Sequence, residues 1–130
     1  MARCIPDRLH AVQFDEAEAE LLERLRFELS NEYIVIPCLE VPRQRGAIDS
    51  EADFVILHPR GRLVLEVKGG EIGCQGGRWY RVRKGHRESI APPFYQARDN
   101  SYEIREYLER LCGRESVEAR MPFNQAMVFT

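Results

Sequence analysis

The chain has 130 residues, of which 44% are hydrophobic and 31% charged, so it is neither disordered nor fibrous and fits one globular domain. No apolar run approaches the roughly 20 residues of a membrane helix, and the start, MARCIPDRLH, lacks the apolar core of an export signal. We therefore expect a cytoplasmic protein with one domain over residues 1–130 and no membrane partner.

The cysteines exclude a structural zinc site. Cys4, Cys38, Cys74 and Cys112 are scattered singly, without a C-x-x-C pair. We expect four reduced thiols that pack as small apolar residues.

Charge is distributed unevenly although the net charge is only −2. Residues 60–87 contain eight Lys and Arg against two Glu, a balance of +6, whereas residues 14–32 contain two Arg against seven acids, a balance of −5. A basic half could attract a polyanion locally. Two solvated faces of opposite sign explain the same pattern.

Residues 15–30 are predicted to form a helix because they are rich in Ala, Leu, Glu and Arg. At 3.6 residues per turn its apolar residues fall within roughly 60° of one direction. Glu18 lies near the middle of that apolar stripe. A charged residue there needs a partner, or a position near the helix start from which it reaches water or a backbone N–H.

Three strands are predicted next, in the segments EYIVIPCLEV, ADFVILH and RLVLEVK. VPRQRGAIDS is predicted to be a loop between the first two, and the Pro-Arg-Gly turn makes the second and third an antiparallel hairpin.

After the hairpin, the five glycines between Gly69 and Gly77 predict a loop, without the spacing of a phosphate-binding motif. We then predict a short basic strand over Arg78–Lys84, a helix from Pro93 to about Cys112, and a terminal strand, FNQAMVFT. We expect Leu111 in the core stripe of that helix and Asn100 along its edge. The order αβββ–insertion–αβ predicts an α/β domain with a mixed sheet. The apolar terminal strand leads us to expect a fragment or the N-terminal domain of a longer protein.

Polar residues of the hairpin form the main candidate site. Glu66 and Lys68 point the same way because alternate strand residues share a face. The antiparallel pairing brings Asp53 level with them. Two close carboxylates repel unless a proton or a cation lies between them, and a hard ion such as Mg²⁺ prefers such oxygen ligands. An ammonium nearby could orient a water molecule. Taken alone, E-x-K on a strand is equally explained by a cross-strand ion pair.

The string ADFVILHPRGRLVLEVKGG, followed by Trp79 and PPFYQA, resembles the nuclease-related domain family NERD, of the PD-(D/E)XK superfamily with the restriction-endonuclease-like fold. The resemblance implies that Asp53 and Glu66 bind Mg²⁺ or Mn²⁺ with the Val67 carbonyl, and that Lys68 positions the attacking water. It further implies that Glu18 holds an outer-shell water or a second ion, and that Gln96 orients the site or a strand of DNA. Ala52 replaces the superfamily proline, and Asn100 stands where related exonucleases have tyrosine.

We therefore expect a metal-dependent DNA nuclease domain, used in DNA processing or repair and fused to or associated with a helicase-type domain. Arg78, Trp79, Arg81, Arg83, Lys84 and Arg87 are the expected DNA contacts. A solvated hairpin with Trp79 in the core explains the same run. The alternatives are a module that binds DNA without catalysis, and a protein-interaction domain whose acidic helix docks a neighbour.

Overall fold

The computed structural model describes residues 1–5, 14–41 and 50–129. The strands are β1 (Arg3–Cys4), β2 (Ile34–Val41), β3 (Ser50–His58), β4 (Gly61–Lys68), β5 (Glu71–Gln75), β6 (Arg78–Arg83), β7 (His86–Ser89) and β8 (Phe123–Phe129). The helices are α1 (Glu16–Glu28), α2 (Pro93–Cys112) and α3 (Val117–Arg120). None of these helices is both long enough and apolar enough to cross a bilayer.

The described residues form two sheets. The larger is mixed, with the order β1-β2-β3-β4-β8; β1 runs parallel to β2, β8 runs parallel to β4, and the other pairs are antiparallel. The smaller is an antiparallel meander of β5, β6 and β7. The predicted α/β class with a mixed sheet is confirmed.

Helices α1 and α2 cover opposite faces of the larger sheet. Leu22 of α1 packs with Phe54 and Leu65 in one core cluster. Ile104 of α2 packs with Val55 and Val64 in the other. Alternate strand residues therefore enter different cores, which is why β3 and β4 are almost continuously apolar. A polar residue in the middle of either strand must then lie inside the protein.

The β3–β4 hairpin sets the register of the candidate site. His58 pairs with Gly61, and the ladder continues to the pair Phe54–Leu65. Gly61 has φ of +154°, and a Cβ there would lie 2.6 Å from the carbonyl oxygen of Pro122, just before β8. The Arg62 N–H donates to that same oxygen at 3.0 Å. The turn therefore requires glycine because the backbone leading into β8 approaches so closely.

Side-chain alternation breaks next to Asp53. Ile36 and Leu39 are three residues apart, yet both pack on the α2 side, and so do Ala52 and Val55. Strict alternation would send such pairs to opposite faces. The break coincides with Cys38, whose φ is 52°, and the ladder pairs on either side put Cys38 opposite Asp53. A positive φ is uncommon in a non-glycine residue, and it redirects the chain beside the candidate site.

Several details of the sequence prediction were wrong. Residues 69–77 are not one loop, because β5 occupies Glu71–Gln75. Gly73 lies in that strand. Glycine is required there because the Tyr80 ring of β6 occupies the space that a Cβ would need. The short elements β1, β7 and α3 were not predicted. The loop predicted over 42–49 lies outside the described residues.

The buried stripe of α2 also differs from its prediction. Leu111 is 63% exposed. Asn100, placed on the edge from the sequence, is only 6% exposed. Its Nδ2 donates to the Glu51 carbonyl at 3.2 Å, and this bond compensates its burial.

Replacing the turn glycine tests the packing between the hairpin and β8. We expect Gly61→Ala to destabilise the protein by about 1–3 kcal/mol, since either the Pro122 carbonyl or the turn must move. Urea unfolding measures the change, with Arg60→Ala at the same exposed turn as the control. An unchanged midpoint for Gly61→Ala would contradict the close approach.

Candidate active site

A cleft of about 730 Å³ opens at the end of β4, between the first turns of α1 and α2 and strand β6. The sequence predicted five site side chains, which four elements supply, and all of them line this cleft: Glu18, Asp53, Glu66, Lys68 and Gln96. Val67, predicted to contribute its carbonyl, lines it too. The fold therefore brings the predicted residues together.

Asp53 is fixed by a bond between the two hairpin strands. Its Oδ2 accepts a hydrogen bond from the Val67 N–H at 2.8 Å. The half-buried carboxylate lies beside Glu66, as the register predicted. One oxygen is thus committed to the backbone, while the group as a whole faces the cleft.

Glu66 is the most deeply buried acid of the cleft, only 2% exposed. Its Oε1 lies 3.4 Å from the Lys68 Nζ. Its Oε2 is buried and has no hydrogen-bond partner among the described residues. Leaving such an acceptor unsatisfied costs about 1–3 kcal/mol, and more for a charged group. The arrangement is unfavourable unless a proton or a cation occupies the free oxygen.

Protonation of Glu66 follows from its surroundings. Burial raises the pKa of this carboxyl well above its ordinary value of 4.5, and repulsion from Asp53 raises it further. Lys68 opposes the shift but does not cancel it. The two carboxyls are close enough to share a proton, which is the position that a divalent cation would take.

Glu18 enters the cleft from the first turn of α1. Asp15 is the N-cap of that helix, and its Oδ1 accepts from the Glu18 N–H at 2.8 Å. Burial raises the pKa of the Glu18 carboxyl to about 7, and repulsion from Asp15 and Asp53 adds to the shift. The side chain is half-buried near both acids, at the cleft end of the apolar stripe.

The Cys38 thiol borders the same acids without being a nucleophile. Burial raises its pKa to about 11, and repulsion from Glu51, Glu18 and Asp53 contributes. A thiol with such a pKa stays protonated at neutral pH, and the thiolate is the reactive form. The acid–base chemistry of the cleft therefore falls to its carboxyls and to Lys68.

The donors present fit a hard cation with few protein ligands. Within the described ranges, no three His, Cys, Asp or Glu side chains gather as a ready-made metal cage. Asp53, the free oxygen of Glu66 and a backbone carbonyl are nevertheless a typical set for Mg²⁺, which keeps several waters. Histidine and cysteine, which bind softer metals, are absent from the described residues that line the cleft.

The expected DNA contacts divide into two groups. Arg81 and Arg83 line the cleft. Arg87 lies over the Tyr80 ring at 4.3 Å and donates to Gln75 at 3.0 Å, away from the cleft lining. Two more cations, Arg78 and Lys84, are exposed at the ends of β6. The Trp79 ring, which one interpretation of the sequence placed in the core, is half-buried and packs against the exposed Phe94 and Phe129, outside both core clusters.

Two neighbours of the site were not singled out from the sequence. Asp15 could have been found, because D-E-A-E at the start of a helix has the spacing of a capping box. Cys38 could not, because its role depends on a positive φ that no local pattern signals.

The family model of the nuclease-related domain, NERD, matches residues 15–130. The chain belongs to the NERD family. This family is part of the PD-(D/E)XK superfamily. No curated protein and no solved structure matches the chain significantly. The matched region begins at the N-cap of α1, so it contains every residue that lines the cleft of this NERD domain.

The raised carboxyl pKa values predict how the stability of the metal-free NERD domain depends on pH. At pH values between the ordinary pKa of 4.5 and the raised pKa of Glu66, the folded protein keeps a proton on Glu66 that the unfolded chain releases. Stability therefore falls as the pH rises through this window, and Glu18 acts in the same direction up to about pH 7. We expect the urea midpoint in EDTA to fall from about pH 5 to about pH 8.

Glu66→Gln isolates the main contribution, since the amide keeps the volume and cannot ionise. The variant should show a flatter pH dependence than the parent and a higher midpoint at about pH 8. Glu23→Gln, at an exposed position of α1, should behave as the parent does. A lower midpoint for Glu66→Gln at the alkaline end would contradict this electrostatic account.

Proposed function

We propose that this NERD domain is a nuclease that uses Mg²⁺ or Mn²⁺ to hydrolyse phosphodiester bonds of DNA. The observation that carries the proposal is the buried Glu66 carboxylate in an open cleft, next to Asp53 and an ammonium, with one oxygen that has no hydrogen-bond partner in the part of the chain that the structure describes. A purely structural ion pair would have no use for a second carboxylate at the same position.

Asp53, Glu66 and the Val67 carbonyl would hold the cation. When bound, the cation would polarise the phosphate and make water a better nucleophile. Because the Val67 N–H already fixes one Asp53 oxygen, the carboxylate is held in position before the ion arrives. Glu66 would keep its position as well, because its carboxyl already lies beside Asp53.

Lys68 would orient the attacking water and offset the negative charge that develops on the phosphate. Its ion pair with Glu66 holds the ammonium at the cleft, with 23% of the side chain exposed. Glu18, with its pKa near neutrality, would hold an outer-shell water and exchange a proton with it. Gln96, exposed at the start of α2, would orient the site or a DNA strand.

DNA would run along β6. Arg81 and Arg83 line the same cleft and would bind phosphates next to the scissile bond, while Arg78, Lys84 and Arg87 extend the positive charge. A role in DNA repair, a helicase-type partner and a cytoplasmic location remain predictions from the sequence.

A second candidate is a module that binds DNA without cutting it. The small number of ligands favours it, since only two protein carboxylates approach the proposed cation and no third acidic, histidine or cysteine side chain joins them in the described chain. The two candidates differ in metal dependence: the module binds DNA with a salt-dependent affinity that divalent ions do not alter specifically.

Removing the ammonium separates the two candidates. Lys68→Ala should lower Mn²⁺-dependent cleavage of a labelled oligonucleotide by about 100–1000-fold, because the charge that develops at the phosphate loses its stabilising group. Its unfolding free energy should fall by about 1–3 kcal/mol, because the buried Glu66 oxygen that Lys68 approaches loses its partner, so cleavage is compared under conditions in which circular dichroism shows both proteins folded. Arg114→Ala, at an exposed cation beyond α2, serves as the control. Equal cleavage by Lys68→Ala and the parent would refute the assigned role.

Metal binding is tested without DNA. Calorimetry should detect Mn²⁺ binding to the parent, which Asp53→Asn and Glu66→Gln each weaken by at least about 10-fold because a charged oxygen ligand is lost. Glu109→Gln on α2 should leave it unchanged. If Asp53→Asn binds Mn²⁺ as the parent does, the cation does not bind at this site.

A further inference from the structure

Three aromatic residues lie next to Lys68. Phe129 of β8 pairs with Lys68 in the parallel ladder, so the two side chains project from the same side of the sheet. The Trp79 ring is stacked on Phe129, with centroids 6.2 Å apart and planes 2° apart. Phe94 meets the same indole edge-on at 5.8 Å. We call Trp79, Phe94 and Phe129 the aromatic platform.

The middle of the platform is half-buried and its sides are exposed. Trp79 is half-buried and held between its two neighbours, whereas Phe94 and Phe129 are 53% and 48% exposed. Burial of a phenylalanine ring is favourable, and the exposed parts of these two neighbouring rings do not contribute that stabilisation. Exposed apolar surface that adjoins a polar cleft is typical of a binding site.

The platform continues into the phosphate-binding wall of the cleft. Trp79, Arg81 and Arg83 alternate along β6 and therefore share a face. Glu88 of β7 approaches Arg81 at 3.6 Å, and Arg83 is exposed. A ring followed by two cations along one β-strand suits a nucleotide chain, because the bases can stack on the ring and the phosphates can bind the cations.

The opposite wall of the cleft is acidic. Asp15, Glu16, Glu18 and Glu20 of the α1 region all line it, against the arginines of β6. Phosphates on the α1 side would meet like charge, which costs affinity. The cleft is thus attractive to one nucleic-acid strand along β6 and repulsive to a second strand beside α1.

We propose that the aromatic platform stacks unpaired bases, and that the cleft accordingly takes single-stranded DNA or frayed duplex ends in preference to intact duplex. This inference rests on the proposed function and adds the structural class of the substrate. The exposed rings of Phe94 and Phe129 receive the bases, and Trp79 positions both rings.

Base stacking can be measured separately from phosphate attraction. The full chain is titrated in EDTA into three labelled probes of equal length: oligothymidine, the same backbone without bases, and a blunt duplex. Fluorescence anisotropy reports the affinity. Oligothymidine should bind at least about 5-fold more tightly than the abasic strand, because each stacked base contributes about 1–3 kcal/mol. The duplex should bind more weakly than oligothymidine.

Variants at exposed positions assign the effect to the platform. Phe94→Ala and Phe129→Ala should each weaken oligothymidine binding at least about 5-fold while leaving the abasic strand unaffected. Phe94→Tyr should retain the affinity. Tyr102→Ala, another half-exposed aromatic of α2, which contacts Phe123 instead, is the matched control.

Each result decides a different proposal. Equal affinity for the oligothymidine and abasic strands, or tighter binding of the duplex, overturns the platform and leaves the nuclease proposal standing. An unchanged affinity in both Phe94→Ala and Phe129→Ala does the same. A protein that binds none of the probes contradicts the DNA-directed function itself, and the platform with it.

Discussion

The cleft is organised around a buried carboxylate. One of its oxygens lies near an ammonium, and the other has no hydrogen-bond partner among the described residues. Glu66 lies in a strand whose neighbours enter two apolar cores, so its side chain cannot escape to water. Lys68 satisfies one oxygen and the other has no partner among the described residues. Repulsion from Asp53 makes the ionised state more costly still, and the pKa of Glu66 is raised accordingly. A carboxyl perturbed in this way within a cleft is a candidate functional group, and we propose it as a ligand of a divalent cation.

The rest of the fold serves to keep this unfavourable arrangement in place. The tight turn at Gly61 fixes the register of β3 and β4, and the Val67 N–H holds Asp53 against Glu66. The positive φ of Cys38 breaks side-chain alternation opposite Asp53. Strained backbone of this kind is retained where the surrounding structure determines it strongly. Two packed helices on opposite faces of the sheet supply that support.

Much of this could be predicted from the sequence because it depends on local patterns. The E-x-K alternation and the short hairpin turn place Asp53, Glu66 and Lys68 together, and the apolar stripe of α1 indicates that Glu18 points inward. Features that depend on long-range packing escaped prediction. The glycines after the hairpin predicted a loop. Gly73 instead lies in a strand, where the Tyr80 ring of β6 leaves no room for a side chain. The closeness of Phe129 to Lys68 follows only from the β4–β8 pairing, and the exposure of Leu111 depends on tertiary packing that the apolar periodicity of α2 does not show.

The central claim is that the unpartnered Glu66 oxygen is a metal ligand, and a crystal of the protein soaked in Mn²⁺ tests it most directly through anomalous scattering. The account predicts an anomalous peak between the Asp53 and Glu66 carboxylates, about 2.1 Å from an oxygen of each. It would be contradicted by a fully soaked crystal without manganese at that position, or by a Glu66 carboxylate whose two oxygens are both bonded to protein groups.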